Sequence, residues 1–247
     1  KGHLVKEIDA LGGLMGYFAD ASCLQFKTLN KSKGRAVWSP RAQVDKIKYS
    51  KLISDHINKN NNINILKGEV IGFKTHKGKI THARLLEGPH IKCSALIITA
   101  GTFLNGLIHI GNDSYKAGRF GEKPSIGLSE ELLDHGFEVS RLKTGTPPRL
   151  LKRSIDFSLT EESNGELNPF PFSFMTENPF NPKNEPCHIV NTTIESHSLI
   201  KENVNSSPMY SGIINAIGPR YCPSIEDKIS RFADRKRHQL FLEPEWT

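Results

Sequence analysis

The amino-acid sequence predicts an α/β fold, and three features of its 247 residues carry that prediction. Residues 3–18 place apolar side chains at the helical spacings of three and four. Residues 63–94 contain short strand-like segments separated by turn sequences, which is typical of an antiparallel β-meander. Residues 95–102 form an apolar run that ends in small residues. Such continuous apolarity indicates a strand buried on both faces, as in a parallel sheet.

The composition is that of a globular protein with a basic character. Hydrophobic residues make up 37% and charged residues 24% of the chain, which is ordinary for folded domains. No apolar run approaches the roughly 18 residues of a membrane-spanning helix, so the sequence predicts no membrane span. The net charge of +7 favours an anionic partner, although a solvated lysine-rich surface would give the same charge.

The four cysteines are too widely spaced to form a recognisable metal motif. Cys23, Cys93, Cys187 and Cys222 include no CxxC or CxxH pair. A disulfide framework is also unusual in a chain of this size. We therefore expect no metal site and a reducing location, which would be the cytoplasm, or the mitochondrion in a eukaryote.

In the first half of the chain, the predicted elements follow one another closely. Gly12-Gly13 interrupts the first helix, so the helix either breaks there or is approached closely by another group. Residues 27–40 are expected to form a loop, and Pro40 to open a second helix over 41–59. The predicted strands of the meander cover residues 63–66, 69–75, 80–86 and 90–92.

The second half of the chain is more irregular. We expect a loop over 112–127, a short helix from Ser129 and a strand over 139–143. Residues 160–186 contain several prolines and are interpreted as an irregular insertion that could be mobile. A helix from the N-cap Ser224 to about Arg237, with Asp227 three residues after the cap, and a strand over 239–243 complete the prediction.

The small-residue turn after the buried run is a candidate cofactor contact. In a dinucleotide-binding domain, a glycine turn at the end of a parallel strand lets the cofactor approach the backbone. Gly101 and Thr102 are the candidate residues. A β-meander before such a strand is typical of flavoproteins with two dinucleotide-binding domains, but a plain strand followed by a tight turn would give the same pattern.

Cys222 is the candidate nucleophile. It lies two residues before the N-cap Ser224 and close to Arg220, and both a helix start and a cation lower a thiol pKa. A buried, inert cysteine is the alternative. The other three cysteines lack such a setting, and we expect them to be structural.

Two groups of cations are candidate contacts for phosphate or nucleic acid. The turn from Lys143 to Arg149 is rigid and rich in hydroxyls and amides, although an ordinary surface turn would have the same sequence. The other group surrounds Trp38, and cations next to an aromatic ring suit single-stranded nucleic acid or a cofactor phosphate. A solvated lysine loop is the alternative there. The members of this second group are Lys31, Lys33, Arg35 and Arg41.

Several longer strings of the sequence resemble the GidA/MnmG family, and together they extend over essentially the whole chain. They include Gly2-His3-Leu4-Val5-Lys6-Glu7 with its continuation to Gly13, and Gly218-Pro219-Arg220-Tyr221-Cys222-Pro223 with its continuation to Lys228. The remaining strings are residues 32–37 with 41–43, 99–106, 141–149, 207–210 and 231–235.

The resemblance implies a FAD-dependent enzyme of tRNA modification that works with the GTPase MnmE. Such an enzyme installs an aminomethyl or carboxymethylaminomethyl group at C5 of the wobble uridine. The one-carbon unit comes from methylenetetrahydrofolate, and NADH is the reductant. The resemblance also implies a homodimer that forms a heterotetramer with MnmE.

The resemblance further implies a FAD-binding Rossmann-like domain of the two-dinucleotide-binding-domain type, with an inserted meander and a second α/β insertion domain. We expect residues 1–145 to belong to the FAD domain and 146–247 to the insertion or NAD-binding domain. By motif match, Val70 and Ser125 are implied FAD contacts, and Cys222 is an implied catalytic residue that could attack C6 of the uracil. We assign Lys33, Arg35, Arg41, Lys143 and Arg149 to tRNA. The implied NAD contacts are Gly218, Pro219, Arg220, Tyr221, Cys222, Pro223, Ser224, Ile225, Glu226, Asp227, Lys228, Ile229, Ser230, Arg231 and Phe232.

The sequence departs from the family at both ends. The given sequence does not include the family's N-terminal GxGxxG turn, the second cysteine that the family has shortly before the Lys1-Gly2-His3 motif, or its helical C-terminal region. We therefore expect an internal fragment that does not retain FAD tightly by itself. Two alternatives remain: a folate- and FAD-dependent tRNA uracil-5-methyltransferase, and a non-catalytic RNA-binding module.

Overall fold

A computed structural model describes residues 2–214, 216 and 224–247. The chain divides into two compact units, each built from separate stretches of sequence. This division differs from the single boundary expected between residues 145 and 146, and the assignment of a cofactor to each part stays a prediction. The first unit comprises Lys1–Ile65, Pro148–Thr193 and Arg237–Thr247, and the second comprises Leu66–Pro147 and Ile194–Lys236.

Helices and strands are mixed in both units, which confirms the α/β class. The helices of the described residues are α1 (Gly2–Ala10), α2 (Met15–Ala21), α3 (Lys46–Asn58), α4 (Leu128–Asp134), α5 (Ile194–Asn203) and α6 (Ile225–Arg231). The strands are β1 (Cys23–Leu29), β2 (Ser39–Val44), β3 (Val70–His76), β4 (Lys79–Leu85), β5 (Ile91–Lys92), β6 (Leu107–Ile110), β7 (Asp113–Lys116), β8 (Glu161–Ser163), β9 (Cys187–Asn191) and β10 (Gln239–Leu242). Short 3₁₀ turns occupy Arg35–Val37, Lys152–Ser154, Phe157–Leu159 and Val204–Ser206.

The first predicted helix breaks at Gly12-Gly13, which was one of the two alternatives that the glycine pair left open. α1 ends at Ala10 and α2 begins at Met15. Gly12 has a φ of 88°, which favours glycine. A Cβ on Gly13 would lie closer than 3.0 Å to Ile8, so the chain also packs too tightly there for a larger residue.

The helix expected over 41–59 begins later, at Lys46, and the part before it is a strand. β2 pairs antiparallel with β1 and places Pro40 opposite Thr28. The carboxylate of Asp45 then caps α3 by accepting hydrogen bonds from the N–H groups of Ile47 and Lys48, at 3.0 and 2.9 Å. The helical prediction for 41–45 was wrong because pairing with β1 outweighs the local apolar spacing.

The segment interpreted as an irregular insertion, residues 160–186, supplies much of the core of the first unit. Phe172 and Phe180 pack edge-to-face on Phe26 of β1, with ring centroids 6.3 and 5.7 Å apart. Two buried carboxylates, Asp9 and Asp20, hold the same segment. These contacts pack the segment against β1 and α2, and its mobility stays a prediction.

The two buried carboxylates, the aspartate pair, accept hydrogen bonds from residues 172–176. Asp20 accepts from the N–H groups of Phe172 and Ser173, both at 2.8 Å, and from the Thr176 hydroxyl at 2.7 Å. Asp9 accepts from the Ser173 hydroxyl at 2.5 Å and from the next backbone N–H at 2.7 Å. Burial raises the pKa of the Asp20 carboxyl, although these donors oppose that effect.

The predicted β-meander is confirmed in the second unit as the antiparallel sheet β3-β4-β5. Lys77 and Gly78 both have positive φ, 48° and 74°, as a tight hairpin between β3 and β4 requires. Residues 63–66, predicted as its first strand, carry no strand pairing. The predicted loop over 112–127 also contains β7, which pairs with β6.

The apolar run over 95–102 is not a strand, so that part of the sequence analysis was wrong. Ile97 is 86% exposed and Ile98 is 39% exposed. A strand buried on both faces needs elements packed against each face of its sheet and a neighbouring strand to pair with, and within the described residues no strand pairs with this run. The predicted Rossmann-like arrangement therefore stays a prediction. The segment 139–143 also lacks a strand.

Helix boundaries in the second unit follow side-chain caps. α4 begins after Gly127, whose N–H donates to the Glu130 carboxylate at 3.0 Å, rather than at Ser129. α6 begins after Ser224 as predicted, but it ends at Arg231 rather than near Arg237. In the part of the chain that the structure describes, no helix has the length and apolarity needed to cross a bilayer.

Candidate functional site

The second unit brings together three of the strings that resemble the family, and this assembly is the candidate site. Lys143 donates from Nζ to the backbone oxygen of Met209 at 3.0 Å. The next residue, Tyr210, donates from its hydroxyl to Asp227 Oδ1 at 2.7 Å. Residues far apart in sequence therefore meet at the first turn of α6.

The Asp227 carboxylate connects Tyr210 to the start of α6. Its Oδ2 accepts from the Ser224 N–H at 3.2 Å, and the Asp227 N–H donates to the Ser224 hydroxyl at 3.1 Å. This reciprocal pair is the predicted cap, and the structure confirms it. The Tyr210 hydrogen bond lowers the pKa of Asp227, while burial and the Asp227 carboxylate raise the pKa of Tyr210 to about 12. The Tyr210 hydroxyl is therefore protonated at neutral pH and can donate this hydrogen bond.

The rest of the predicted NAD segment presents few free side chains. Ile229 is 1% exposed and packs inside the unit. The hydroxyl of Ser207 donates to Glu226 at 3.4 Å, and the Arg231 guanidinium lies 3.6 Å from Asp227. Ile225 and Lys228 are half-buried, whereas Ser230 and Phe232 are exposed. The predicted contacts Gly218, Pro219, Arg220, Tyr221, Cys222 and Pro223 lie outside the described residues.

The three described cysteines, Cys23, Cys93 and Cys187, are free thiols. Cys23 and Cys187 are buried, and burial raises the pKa of Cys187 and brings that of Cys23 to about 12. Both are therefore protonated and unreactive at neutral pH. Cys93 is half-buried in the second unit.

The residues predicted to contact FAD lie on neighbouring stretches of the second unit. Leu104 forms a parallel bridge with Ser125, whose backbone N–H donates to the oxygen of Phe103 at 3.0 Å. The loop that carries Ser125 continues to Gly127, where a Cβ would lie 3.0 Å from the oxygen of Ile71, next to Val70 in β3. The turn 101–106, the loop 123–127 and the start of β3 are therefore side by side.

The turn at Gly101 has the geometry that a close-approaching ligand needs. Gly101 has a φ of 65° and is exposed, and Thr102 beside it is also exposed. A Cβ on Gly101 would meet only ring atoms of Phe103, at 3.5 Å. No hydrogen bond of the Ser125 hydroxyl is found among the described residues. These residues therefore fit a phosphate or ribose at this turn.

The predicted cationic group of the first unit divides into free and paired members. Arg35 lies over the Trp38 ring with its guanidinium carbon 5.5 Å from the centroid, and the Trp38 indole N–H donates to the oxygen of Lys33 at 3.1 Å. Neither Lys33 nor Arg35 takes part in an ion pair within the described residues. Lys31, by contrast, forms an ion pair with Glu166.

Two residues predicted to contact tRNA form ion pairs with carboxylates of this chain. Arg41 forms an ion pair with Glu243, and Arg149 lies 3.1 Å from Glu245. Arg149 belongs to the first unit and Lys143 to the second. The sequence could not show these pairings, because the partners lie about a hundred residues away or more.

A cleft of about 370 Å³ opens beside Trp38 in the first unit. Its lining combines aromatic rings with a few charged groups, which suits a flat ring better than a compact anion. The lining residues are His3, Lys6, Glu7, Phe26, Thr28, Trp38, Pro40 and Phe170.

The sequence analysis did not predict the hydrogen bond from the Tyr210 hydroxyl to Asp227. The string Ser207-Pro208-Met209-Tyr210 was noted, but no local pattern linked it to α6. A capping box beginning at Ser224 was the available signal, since a cap carboxylate can accept a further donor. Within the described ranges, no group of three or more His, Cys, Asp or Glu side chains is arranged to hold a metal ion.

Comparisons with known proteins agree over the whole length of the chain. The family model described as "Glucose inhibited division protein A" matches residues 1–247. The chain is 51% identical over 245 residues to a protein of Thermodesulfovibrio yellowstonii, and 50% identical to one of Bdellovibrio bacteriovorus. Both are named "tRNA uridine 5-carboxymethylaminomethyl modification enzyme MnmG".

The matched region is a part of these relatives. The two alignments cover 99% of this chain but only 39% and 38% of the relatives. The solved structure of Aquifex aeolicus GidA in its form I crystal matches with a TM-score of 0.90 at 45% identity, over 100% of this chain and 42% of that one. The form II crystal gives a TM-score of 0.88.

Proposed function

Because the chain belongs to the glucose inhibited division protein A family, we propose that the protein is an enzyme that modifies a uridine of tRNA. The observation that carries the proposal is the 51% identity over 245 residues to a relative of that name. The chain spans 39% of that relative's length, so activity, substrate and partners are proposed here for the whole protein. The proposed product carries an aminomethyl or carboxymethylaminomethyl group at C5 of the wobble uridine.

We propose FAD as the resident cofactor, held at the turn 101–106. Gly101 and Thr102 would offer backbone groups, and Ser125 would offer its hydroxyl. Val70 would contribute the apolar side chain at the start of β3. The bound flavin would supply electron transfer, with NADH as the reductant and methylenetetrahydrofolate as the one-carbon donor. Residues 224–232 would take part in the NADH site, mainly through backbone groups and the exposed Ser230.

For tRNA, the free cations are the stronger candidates. Lys33 and Arg35 form no ion pair within the described residues, and a base could stack beside Trp38 in the cleft. Lys143 is also unpaired with a carboxylate there, although its ammonium is bonded to Met209. Arg41 and Arg149 would first have to leave Glu243 and Glu245, so we give them a secondary part in binding phosphate. The partner we propose is the GTPase MnmE, in a heterotetramer with a homodimer of this protein.

Cys222 is the proposed nucleophile of the modification. Attack of its thiolate on uracil C6 would form a carbon–sulfur bond and move electron density to C5, which then reacts with the one-carbon unit. Loss of the C5 proton to a base and expulsion of the thiolate would restore the aromatic ring. Cys23 and Cys187 are excluded from this role by their burial and raised pKa.

Separate substitutions of two cysteines in the second unit, Cys222 and Cys93, test the proposed nucleophile. In the full-length, FAD-loaded protein, Cys222→Ser should abolish the wobble modification while flavin content and melting temperature stay near wild type. Cys93→Ser is the matched control and should retain activity. The measurement is modified nucleoside in tRNA per mole of flavin. Normal turnover by the Cys222→Ser variant would remove Cys222 from the mechanism. A separate experiment tests the reaction itself: if tRNA from cells lacking the protein lost ribothymidine rather than the wobble modification, the protein would be a uracil-5-methyltransferase instead.

A further inference from the structure

The antiparallel sheet β3-β4-β5 places a lysine, a histidine and a second lysine in one row across its strands. Lys74 of β3 is paired with His82 of β4, and His82 is paired with Lys92 of β5. Side chains of directly paired residues stand on the same face of a sheet, so these three residues, the cationic row, share one face. Lys74 and Lys92 are exposed, and His82 between them is half-buried.

The opposite face of the same sheet is the buried one. Phe73 and Ala83, which are paired with each other, are 7% and 6% exposed. Successive side chains of a strand point to opposite faces, so the burial of these two residues leaves the cationic row on the outer face. Antiparallel sheets often have one face in water, and a merely solvated face is the alternative interpretation of this row.

The charge on this part of the chain is almost entirely of one sign. Residues 70–92 contain five lysines and arginines against a single carboxylate, Glu87. Within the described residues, neither Lys74 nor Lys92 forms an ion pair. Opposite charges placed directly across two strands stabilise a sheet, whereas like charges destabilise it. The stability of the sheet alone would therefore favour a carboxylate in this row.

A neighbouring imidazole lies in the same positive field. His90 is exposed in the turn that leads into β5. Desolvation lowers the pKa of its imidazole, and the charges of Lys74, Arg84 and His82 lower it further. Arg84 has the carboxylate of Glu131 beside it, at 2.6 Å. The two lysines of the row have no such partner in the described part of the chain, so their charges remain available to an anion.

We propose that the outer face of the β3-β4-β5 sheet, through Lys74 and Lys92, binds the phosphate backbone of tRNA. The inference rests on the proposed function, because that function makes tRNA the polyanion that the protein meets. Neighbouring strands lie about 4.8 Å apart, so the two lysines stand about 10 Å apart, and their flexible stems let them reach more than one phosphate. Phosphate contacts orient a nucleic acid without reading its sequence, so this face increases the affinity for tRNA in general.

The double variant Lys74→Gln/Lys92→Gln removes both ammonium groups and keeps polar side chains. Lys48→Gln/Lys51→Gln is the matched control, since both of these lysines are exposed on α3 and form no ion pair within the described residues. Binding of tRNA to the full-length protein is measured by fluorescence anisotropy over a salt series. We expect the first variant to bind tRNA at least about fivefold more weakly at low salt, and to reduce the slope of log affinity against log salt by about 1.4 to 1.8, because each lost phosphate contact removes about 0.7 to 0.9. The control should keep the wild-type slope.

Two further measurements locate the effect. In Lys74→Gln/Lys92→Gln, KM for tRNA should rise while kcat stays within about twofold of wild type, because a contact kept throughout the reaction is lost equally from the ground state and the transition state. Acetylation of the wild-type protein by N-hydroxysuccinimide acetate, with and without tRNA, needs no variant. Labelling of Lys74 and Lys92 should fall at least about threefold when tRNA is bound, and labelling of Lys48 and Lys51 should not change.

An unchanged salt slope in Lys74→Gln/Lys92→Gln would overturn the proposal. An equal loss of affinity in both double variants would also overturn it, since that result indicates an effect of net charge alone. Labelling of Lys74 and Lys92 that tRNA does not reduce would leave the solvated face as the explanation. Nucleoside analysis tests the proposed function separately: a protein that binds tRNA through this face but leaves the wobble uridine unmodified would keep the surface and lose the proposed activity.

Discussion

Replacing Asp20 by alanine removes the carboxylate that holds residues 172–176 in the first unit. Asp20 is 6% exposed, and it accepts from the N–H groups of Phe172 and Ser173 and from the Thr176 hydroxyl. Ser173 is 1% exposed, so water cannot readily replace the lost acceptor. Each buried N–H left without a partner costs about 1 to 3 kcal/mol, which gives a total of about 4 kcal/mol for the two backbone groups.

Hydrogen exchange measures this loss at the affected amides. Since a tenfold change in an equilibrium constant corresponds to about 1.4 kcal/mol, protection of the peptide covering 171–176 should fall by nearly a thousandfold in Asp20→Ala. In Asp20→Asn, the protection of this peptide should lie between that of wild type and that of Asp20→Ala. The asparagine amide keeps one acceptor oxygen but turns an N–H₂ group toward a donor. Asp55→Ala is the control, since Asp55 is exposed on α3.

A small change in protection would refute this reasoning. If Asp20→Ala lowered protection of 171–176 by less than about tenfold while Asp55→Ala left it unchanged, the segment would be held by something other than the carboxylate. The apolar contacts of Phe172 would then have to account for its order. Equal losses in both variants would indicate a general destabilisation of the unit.

Two further changes test other features of the fold. Gly106→Ala should lower the free energy of unfolding, measured by denaturant titration, by about 1 to 3 kcal/mol, because its Cβ would lie closer than 3.0 Å to the oxygen of Ala117. Gly145→Ala is the control: its Cβ would meet no atom within 4 Å, so the free energy of unfolding should change by less than about 0.5 kcal/mol. Asp45→Ala should cost about 1 kcal/mol through the lost helix cap. The N–H groups of the cap hold the pKa of Asp45 below its ordinary 3.8, so its contribution is present above that value and is lost as the pH falls through the lower folded-state pKa. Asp45→Asn should therefore show a weaker loss of stability on acidification than wild type, and an unchanged acid profile would contradict the assignment.

The elements that sequence reasoning placed correctly are those specified by neighbouring residues. The β3-β4 hairpin follows from a turn that needs positive φ at Lys77 and Gly78. The start of α6 follows from the reciprocal bonds between Ser224 and Asp227, three residues apart. Such features depend on a few adjacent dihedral angles and side chains, so they are visible in the sequence.

The errors occurred where a distant partner decides the conformation. Residues 41–44 have an acceptable helical pattern, yet they form β2 because β1 offers a pairing edge. Residues 95–102 have the pattern of a buried strand, but no strand pairs with them in the described part of the chain. A strand is completed by its neighbours, and a single sequence does not say where those neighbours lie.

The candidate site divides in the same way. Long strings of the sequence were enough to indicate the family, and local pattern marked Ser224 as the start of a helix just after Cys222. The sequence could not show that Tyr210 bonds to Asp227, or that Arg41 is occupied by Glu243 about two hundred residues away. By itself the sequence determined the family, the Ser224 cap of α6 and the tight turn between β3 and β4, because each depends on residues close together in the chain. Only the tertiary structure decided which of the predicted cations pair with carboxylates and that Tyr210 bonds to Asp227, because a hydrogen bond or an ion pair depends on distance in space.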